Sequence, residues 1–132
     1  MIFEAKLKLD GGDAIEILQC SYVMDRETDS SGMPSTTVRG GKISITMKSS
    51  SDTTLYEWII NPYAQKSGEI EFYKHNDPTP AKVLKFTDAY IVEQGEVFNV
   101  MDNDRQPMVE HFVVSAQAMA MNDAELANPW RS

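Results

Sequence analysis

At 132 residues with 42% hydrophobic content, the chain has the size of a single domain, 1–132, and enough apolar material to bury a core without disulfides or a structural metal. Its 12 Lys and Arg against 20 Asp and Glu give a formal charge of −8, which repels phosphate backbones and argues against nucleic acid as a partner. A lone cysteine, Cys20, excludes an intrachain disulfide, and no apolar run approaches the roughly 20 residues that membrane insertion requires.

The N-terminus, MIFEAKLKLD, alternates apolar and charged residues. It reads as a half-buried strand with Phe3, Ala5, Leu7 and Leu9 inward, and it lacks the apolar core of a signal peptide. The expectation is synthesis in the cytoplasm, with export only by a dedicated machine. Gly11-Gly12-Asp13 is a turn that pairs the next strand as a hairpin. That strand begins with Ile15 and Ile17 inward and then changes phase to Leu18, Cys20, Tyr22 and Met24, the mark of a β-bulge.

Asp25 to Thr37, DRETDSSGMPSTT, is a polar segment between two strands. Hairpins ordinarily need about 2–5 loop residues, and Met33 is the one large apolar side chain of this stretch. Extended, the segment reaches about 40 Å at about 3.3 Å per residue. Three readings fit it: a disordered flap, a lid over a site, or an arm that docks on another molecule.

Ile43, Ile45 and Met47 then alternate with Ser44, Thr46 and Lys48 as a strand. A short helix is expected at about 52–61, opened by Asp52 and stopped at Asn61-Pro62. Leu55, Trp58 and Ile59 fall on its packing face. Strands resume at Ile70 and Phe72 and turn at Asn76-Asp77-Pro78. Leu84, Phe86, Tyr90 and Val92 share one parity with Asp88 interrupting, and Gln94 to Pro107 reads as an acidic turn region. Met108 to Met121 reads as the last long strand, with Phe112, Val114, Ala116 and Ala118 on one side, before a tail ending at Pro129-Trp130. The sum, about six or seven amphipathic strands and one short helix, is mainly β and reads as a small antiparallel β-barrel or a sandwich of two packed sheets, with a short flanking helix and a long extended loop.

The chemical inventory is thin. His75 and His111 lie on separate elements without the clustered ligands of a metal barrel, so no metal and no cofactor is expected. Cys20 sits at an alternating apolar position, as small core residues do, with no Cys/His/Asn or Ser/His/Asp set around it. Asp102-Asn103-Asp104 lacks the glycine and distal glutamate of a calcium loop. Gly11-Gly12 and Gly40-Gly41 read as turn or bulge residues rather than phosphate loops. Tyr56, Trp58 and Tyr63 form no convincing sugar platform. Catalytic residues are not assigned, and the chain does not read as an enzyme. Strand edges, an arm and a tail remain, and edges must be covered, charged or paired.

The pieces RxxDxxGxPS, GGxIxI, LxEWxxN, SGxIxF and LxFxxAYIV follow in that order between Arg26 and Val92. Together they resemble the haemolysin-coregulated protein family, the tube subunit of type VI secretion systems, in its divergent short TssD-like branch. The resemblance implies a β-barrel subunit of which six copies close into a ring around a channel. It further implies rings stacked into an inner tube, related to phage tail tubes, that sheath contraction expels. The implied partners are other copies of the chain, a spike protein, a contractile sheath and effector proteins carried in the channel. The implied location is cytoplasmic during assembly, then extracellular or inside target cells without a signal peptide. The loop between the second and third strands maps onto an inter-subunit arm at about 25–41. Its interface candidates are Arg26, Asp29, Ser31, Met33, Pro34, Thr37 and Arg39, with Met33-Pro34 as apolar anchor and the two arginines making charge-assisted bonds. The alternative is a small ligand-binding β-barrel with the 25–37 loop as its lid.

Overall fold

The computed structural model describes residues 1–35, 39–100 and 108–128. Among the described residues, eight strands and one helix follow in the order β1 (Ile2–Leu9), β2 (Ile15–Tyr22), β3 (Lys42–Lys48), α1 (Thr54–Ile60), β4 (Lys66–Lys74), β5 (Lys82–Phe98), β6 (Met108–Ser115), β7 (Ala118–Met121) and β8 (Ala124–Ala127). Every pairing is antiparallel. The order β4-β1-β2-β3-β6-β5, closed by a β4–β5 ladder, makes a six-stranded barrel, and the β7–β8 hairpin extends from β5. The fold is thus mainly β: a closed barrel with extra strands and one short helix.

The β3 alternation holds throughout: Ile43, Ile45 and Met47 point into the core and face Val114, Phe112 and Glu110 across the β3–β6 ladder. Leu7, Ile70, Leu84 and Phe86 complete the interior, each contributing about 1.5–3 kcal/mol by leaving water. Helix α1 closes one side with Leu55 and Trp58 buried and Ile59 packed against the same cluster. The Asp52 carboxylate accepts the Thr54 amide at 2.9 Å, but the N-cap is Thr53, which makes no side-chain cap bond, and the helix opens at Thr54. The buried indole of Trp58 donates to the Ala64 carbonyl at 2.9 Å, which ties the chain beyond Asn61-Pro62 back to the helix.

Bulges explain where the inward set departs from simple alternation. Phe3 has no partner in the β1–β4 register, and it is exposed rather than inward, its ring edge-to-face with His75 at 4.7 Å. Leu18 is the extra residue of β2 and is exposed, while Cys20 and Tyr22 beyond it turn back to the core. In β5, Thr87 and Asp88 oppose the single residue Ser67, whose hydroxyl accepts the Asp88 amide at 3.0 Å. Asp88 lies at φ +51, and the inward parity moves by one. Ala89 and Ile91 are therefore inside, and Tyr90 and Val92, expected inward, are exposed.

Two boundaries also differ from expectation. Gln94 to Phe98 is not turn but strand, paired with Phe112 to Met108. Opposite the core residues Phe112 and Glu110 it carries Gln94 and Glu96, polar rather than apolar, and the Gln94 amide donates to the buried Glu110 carboxylate at 3.0 Å. The Met108 to Met121 stretch breaks at Ala116-Gln117, so that Met119, not Ala118, enters the core. The expected acidic turn Asp102-Asn103-Asp104 and the Pro129-Trp130 tail lie outside the described residues.

Candidate functional site

The described part of the segment between β2 and β3 folds back on itself as a narrow two-stranded ribbon. Asp25 and Arg39 exchange both backbone hydrogen bonds, at 2.9 and 2.7 Å, and a second bridge joins Thr28 to Pro34. Between them the Ser35 amide donates to the Glu27 carbonyl at 2.8 Å. A loop that satisfies its own backbone in this way needs no apolar core beneath it. Sequence reading located the arm and missed the ribbon.

Its tip is an Asx-type turn. One carboxylate oxygen of Asp29 accepts the Ser31 hydroxyl at 2.7 Å, the Ser31 amide at 2.9 Å and the Met33 amide at 3.0 Å. The Ser31 hydroxyl, followed by the Met33 and Ser31 amides, holds the Asp29 carboxyl below the usual aspartate range. Met33 is 62% exposed at the tip, with Pro34 exposed beside it.

Of the candidate residues, Asp29, Ser31, Met33 and Pro34 come together at the tip. Arg26 is exposed farther down the ribbon. The Arg39 guanidinium lies 3.0 Å from the Glu27 carboxylate, an exposed pair within the arm. Thr37 lies outside the described residues.

At the root, Gly40 and Gly41 bring the chain back into β3, with Gly41 at φ +106. Around them are side chains that sequence reading left in the tail: Leu126 and Asn128, the latter hydrogen-bonded to the Gly40 and Ala116 carbonyls. The glycine pair was the only hint of that crowding. Beside the root runs an open groove of about 480 Å³ between Ser21, Asp25, Lys42 and Ser115. A smaller apolar groove of about 250 Å³ lies between Tyr22, Met24, Met119, Met121 and Leu126.

Other reactive groups lie apart from the arm. His111 sits on β6, its Nδ1 3.2 Å from the Thr46 hydroxyl and its Nε2 3.2 Å from the Glu93 carboxylate. Burial pushes the Cys20 thiol up to about 11, away from the reactive thiolate. Trp58 is in the core while Tyr56 and Tyr63 are exposed, so the three aromatics share no face. Among the described residues no three His, Cys, Asp or Glu are placed to hold a metal, and no helix is long and apolar enough to cross a membrane.

A family model described as hemolysin coregulated protein Hcp (TssD) matches residues 1–131. Among solved structures, Hcp1 from Flavobacterium johnsoniae is 38% identical, with 96% of this chain and 100% of that chain covered at a TM-score of 0.87. Hcp1 from the E. coli EAEC 042 pathovar shares 17% identity over 97% of each chain at a TM-score of 0.73. The secreted protein Hcp3 from Pseudomonas aeruginosa shares 11% over 98% of this chain and 99% of its own, at 0.64. These last two show a common fold alone. A comparison with curated proteins finds no match.

Proposed function

Since the chain belongs to the hemolysin coregulated protein (Hcp, TssD) family of type VI secretion tube proteins, a structural rather than enzymatic family, we propose that it is a tube subunit, one domain over 1–132, which acts by assembling with itself. In this reading six copies close into a ring, rings stack into a tube, and a contracting sheath expels it with its spike and any effectors in the channel. The location follows: cytoplasmic during assembly, outside the cell after firing. The observation that carries the reading is the chain-wide family match on a barrel that presents a braced, self-satisfied arm. Head-to-tail contacts of one surface on another close a ring where the rotation permits and otherwise continue as a filament.

The arm is the assembly element in this reading. Met33 and Pro34 are its apolar anchor, Asp29 and Ser31 shape the turn that presents them, and Arg26, Thr37 and Arg39 flank the contact. The lid alternative has little to support it, because the barrel interior is filled by Phe86, Phe112, Ile45 and Leu7. Sedimentation velocity across a concentration series, with negative-stain images of the same samples, tests the proposal. Six-fold rings with a central hole are expected, and a clean monomer at high concentration would sink it.

A further inference from the structure

We infer that Asn128 is a positioning residue for the arm, its side-chain amide clamping the arm's return hinge to the β6–β7 corner and so fixing the direction in which the arm leaves the barrel. The clamp joins three segments remote in sequence. The Asn128 Nδ2 donates to the Gly40 carbonyl at 3.1 Å and to the Ala116 carbonyl at 2.9 Å. The Asn128 backbone amide donates to Gln117 at 2.6 Å, and the Ala116 amide donates to the Gly41 carbonyl at 2.7 Å. Both protons of one amide group are thereby used, and the corner, the hinge and the end of β8 form one closed set of hydrogen bonds.

The glycine pair makes room for this clamp. A Cβ at Gly41 would overlap Asn128 Nδ2 and lie 2.8 Å from the Ala116 oxygen. At Gly40 a Cβ would lie 2.9 Å from both the Leu126 and Met24 side chains. At Gly41 glycine is thus required for close approach to the Ala116 carbonyl as much as for its positive φ, while the Gly40 neighbours are side chains. Immediately outward, Asp25 and Arg39 exchange their backbone hydrogen bonds, and from that pair on every described arm residue is exposed. The direction of a ribbon that is exposed along its length is set at its root. An amide is the side chain this needs. A carboxylate of the same shape has no proton to give and would face two carbonyl oxygens.

The clamp itself stands on the hydrogen bonds above; its consequence for assembly rests on the proposed function. The test uses the full chain with Asn128→Asp and with the milder Asn128→Ala, which removes both donors without adding charge. A core control, Ile70→Val, lowers stability far from the root. Hydrogen exchange is read at the Asp25 and Arg39 amides and at Ile45 and Phe112 in the barrel, and self-association is read by sedimentation. Expected for both Asn128 variants is exchange about tenfold faster at Asp25 and Arg39, with the barrel amides and the Ile70→Val protein showing no such local change. Unchanged exchange at the root, or equal acceleration everywhere, overturns the clamp. Association should weaken by about tenfold in parallel if the arm assembles the ring. Local acceleration with unchanged association upholds the clamp and sinks the assembly role of the arm, so the two ideas fail separately.

Discussion

Asp29 holds Met33 from both sides: its amide donates to the Met33 carbonyl at 2.9 Å, and the Met33 amide donates to its carboxylate at 3.0 Å. The apolar side chain at the tip is therefore presented by a turn already in shape. Docking such a turn costs less ordering entropy than docking a flexible loop.

The brace should respond to substitution and to pH. Asp29→Ala removes the acceptor and should loosen the tip, raising amide exchange at Ser31 and Met33 while the barrel's unfolding midpoint stays put. Asp29→Asn keeps an acceptor oxygen and should retain most of the turn. Because hydrogen bonds lower the folded carboxyl's pKa, the brace is fully present above the ordinary aspartate value and is lost as pH falls through the lower, folded one. A carbon-13 titration of the Asp29 carboxyl checks this; a midpoint at or above the ordinary value contradicts it.

Replacing the anchor should separate folding from assembly. In the double variant Met33→Gly, Pro34→Gly, the buried set of the barrel is untouched, so thermal unfolding should shift little. Self-association should weaken by about tenfold or more, in line with the loss of a buried apolar anchor. Sedimentation at matched concentrations reads the difference, and unimpaired rings would show that the tip is not a contact.

Gly68 stands where the backbone of β4 passes close to β1 and β5. A Cβ there would lie 2.6 Å from the Lys8 carbonyl oxygen and 2.7 Å from the Phe86 ring. Gly68→Ala should cost about 1–3 kcal/mol by forcing the ladder or the ring aside. Gly95, with nothing within 4 Å of a Cβ, is the control. Gly95→Ala should stay within about 0.5 kcal/mol. Urea unfolding of the two variants decides, and equal effects would deny the close approach.

Glu110 gives the barrel an opposite pH response. Burial is the main cause that raises its carboxyl above the usual range; the Gln94 hydrogen bond partly offsets it, and Glu96 and Asp52 add to the rise. A carboxyl raised on folding favours the protonated folded state. Its stabilising contribution is fully present below the unfolded glutamate value and is lost as pH rises through the folded one. The neutral Glu110→Gln variant should therefore show a smaller loss of stability than the parent on going from mildly acidic to neutral pH. Urea midpoints across that range test it, and parallel curves would refute it.

What could be read before folding was alternation: β3, β1 from Ala5 onward and the hairpin turn at Gly11 follow from residue parity and turn chemistry. What could not be read was a change of parity imposed by a partner strand. The bulge at Asp88 exists because Ser67 opposes two residues, and nothing near Asp88 in sequence announces Ser67. Gln94 to Phe98 was hidden for another reason. Gln94 and Glu96 stand where apolar residues would mark an inward face, so the strand loses its apolar signature there. At the arm, composition marked the segment, and Asp29-Ser-Ser-Gly carried the Asx turn in plain view. The pairing of Asp25 with Arg39 and the role of Asn128 depend on contacts across long stretches of chain, which composition does not encode.

Strand β5 runs 17 residues and is shared: its first half lies between β4 and β7, and its second half pairs with β6. The consequence is mechanical. A pull along this strand loads the ladders to β4, β6 and β7 together, in shear, so many hydrogen bonds must give at once. Peeling would open them one at a time, but it needs a free edge along the whole strand, and β5 has none over its first half. The barrel is thus stiffest along the direction of its longest strand, with a single continuous segment acting as the spine that links both halves.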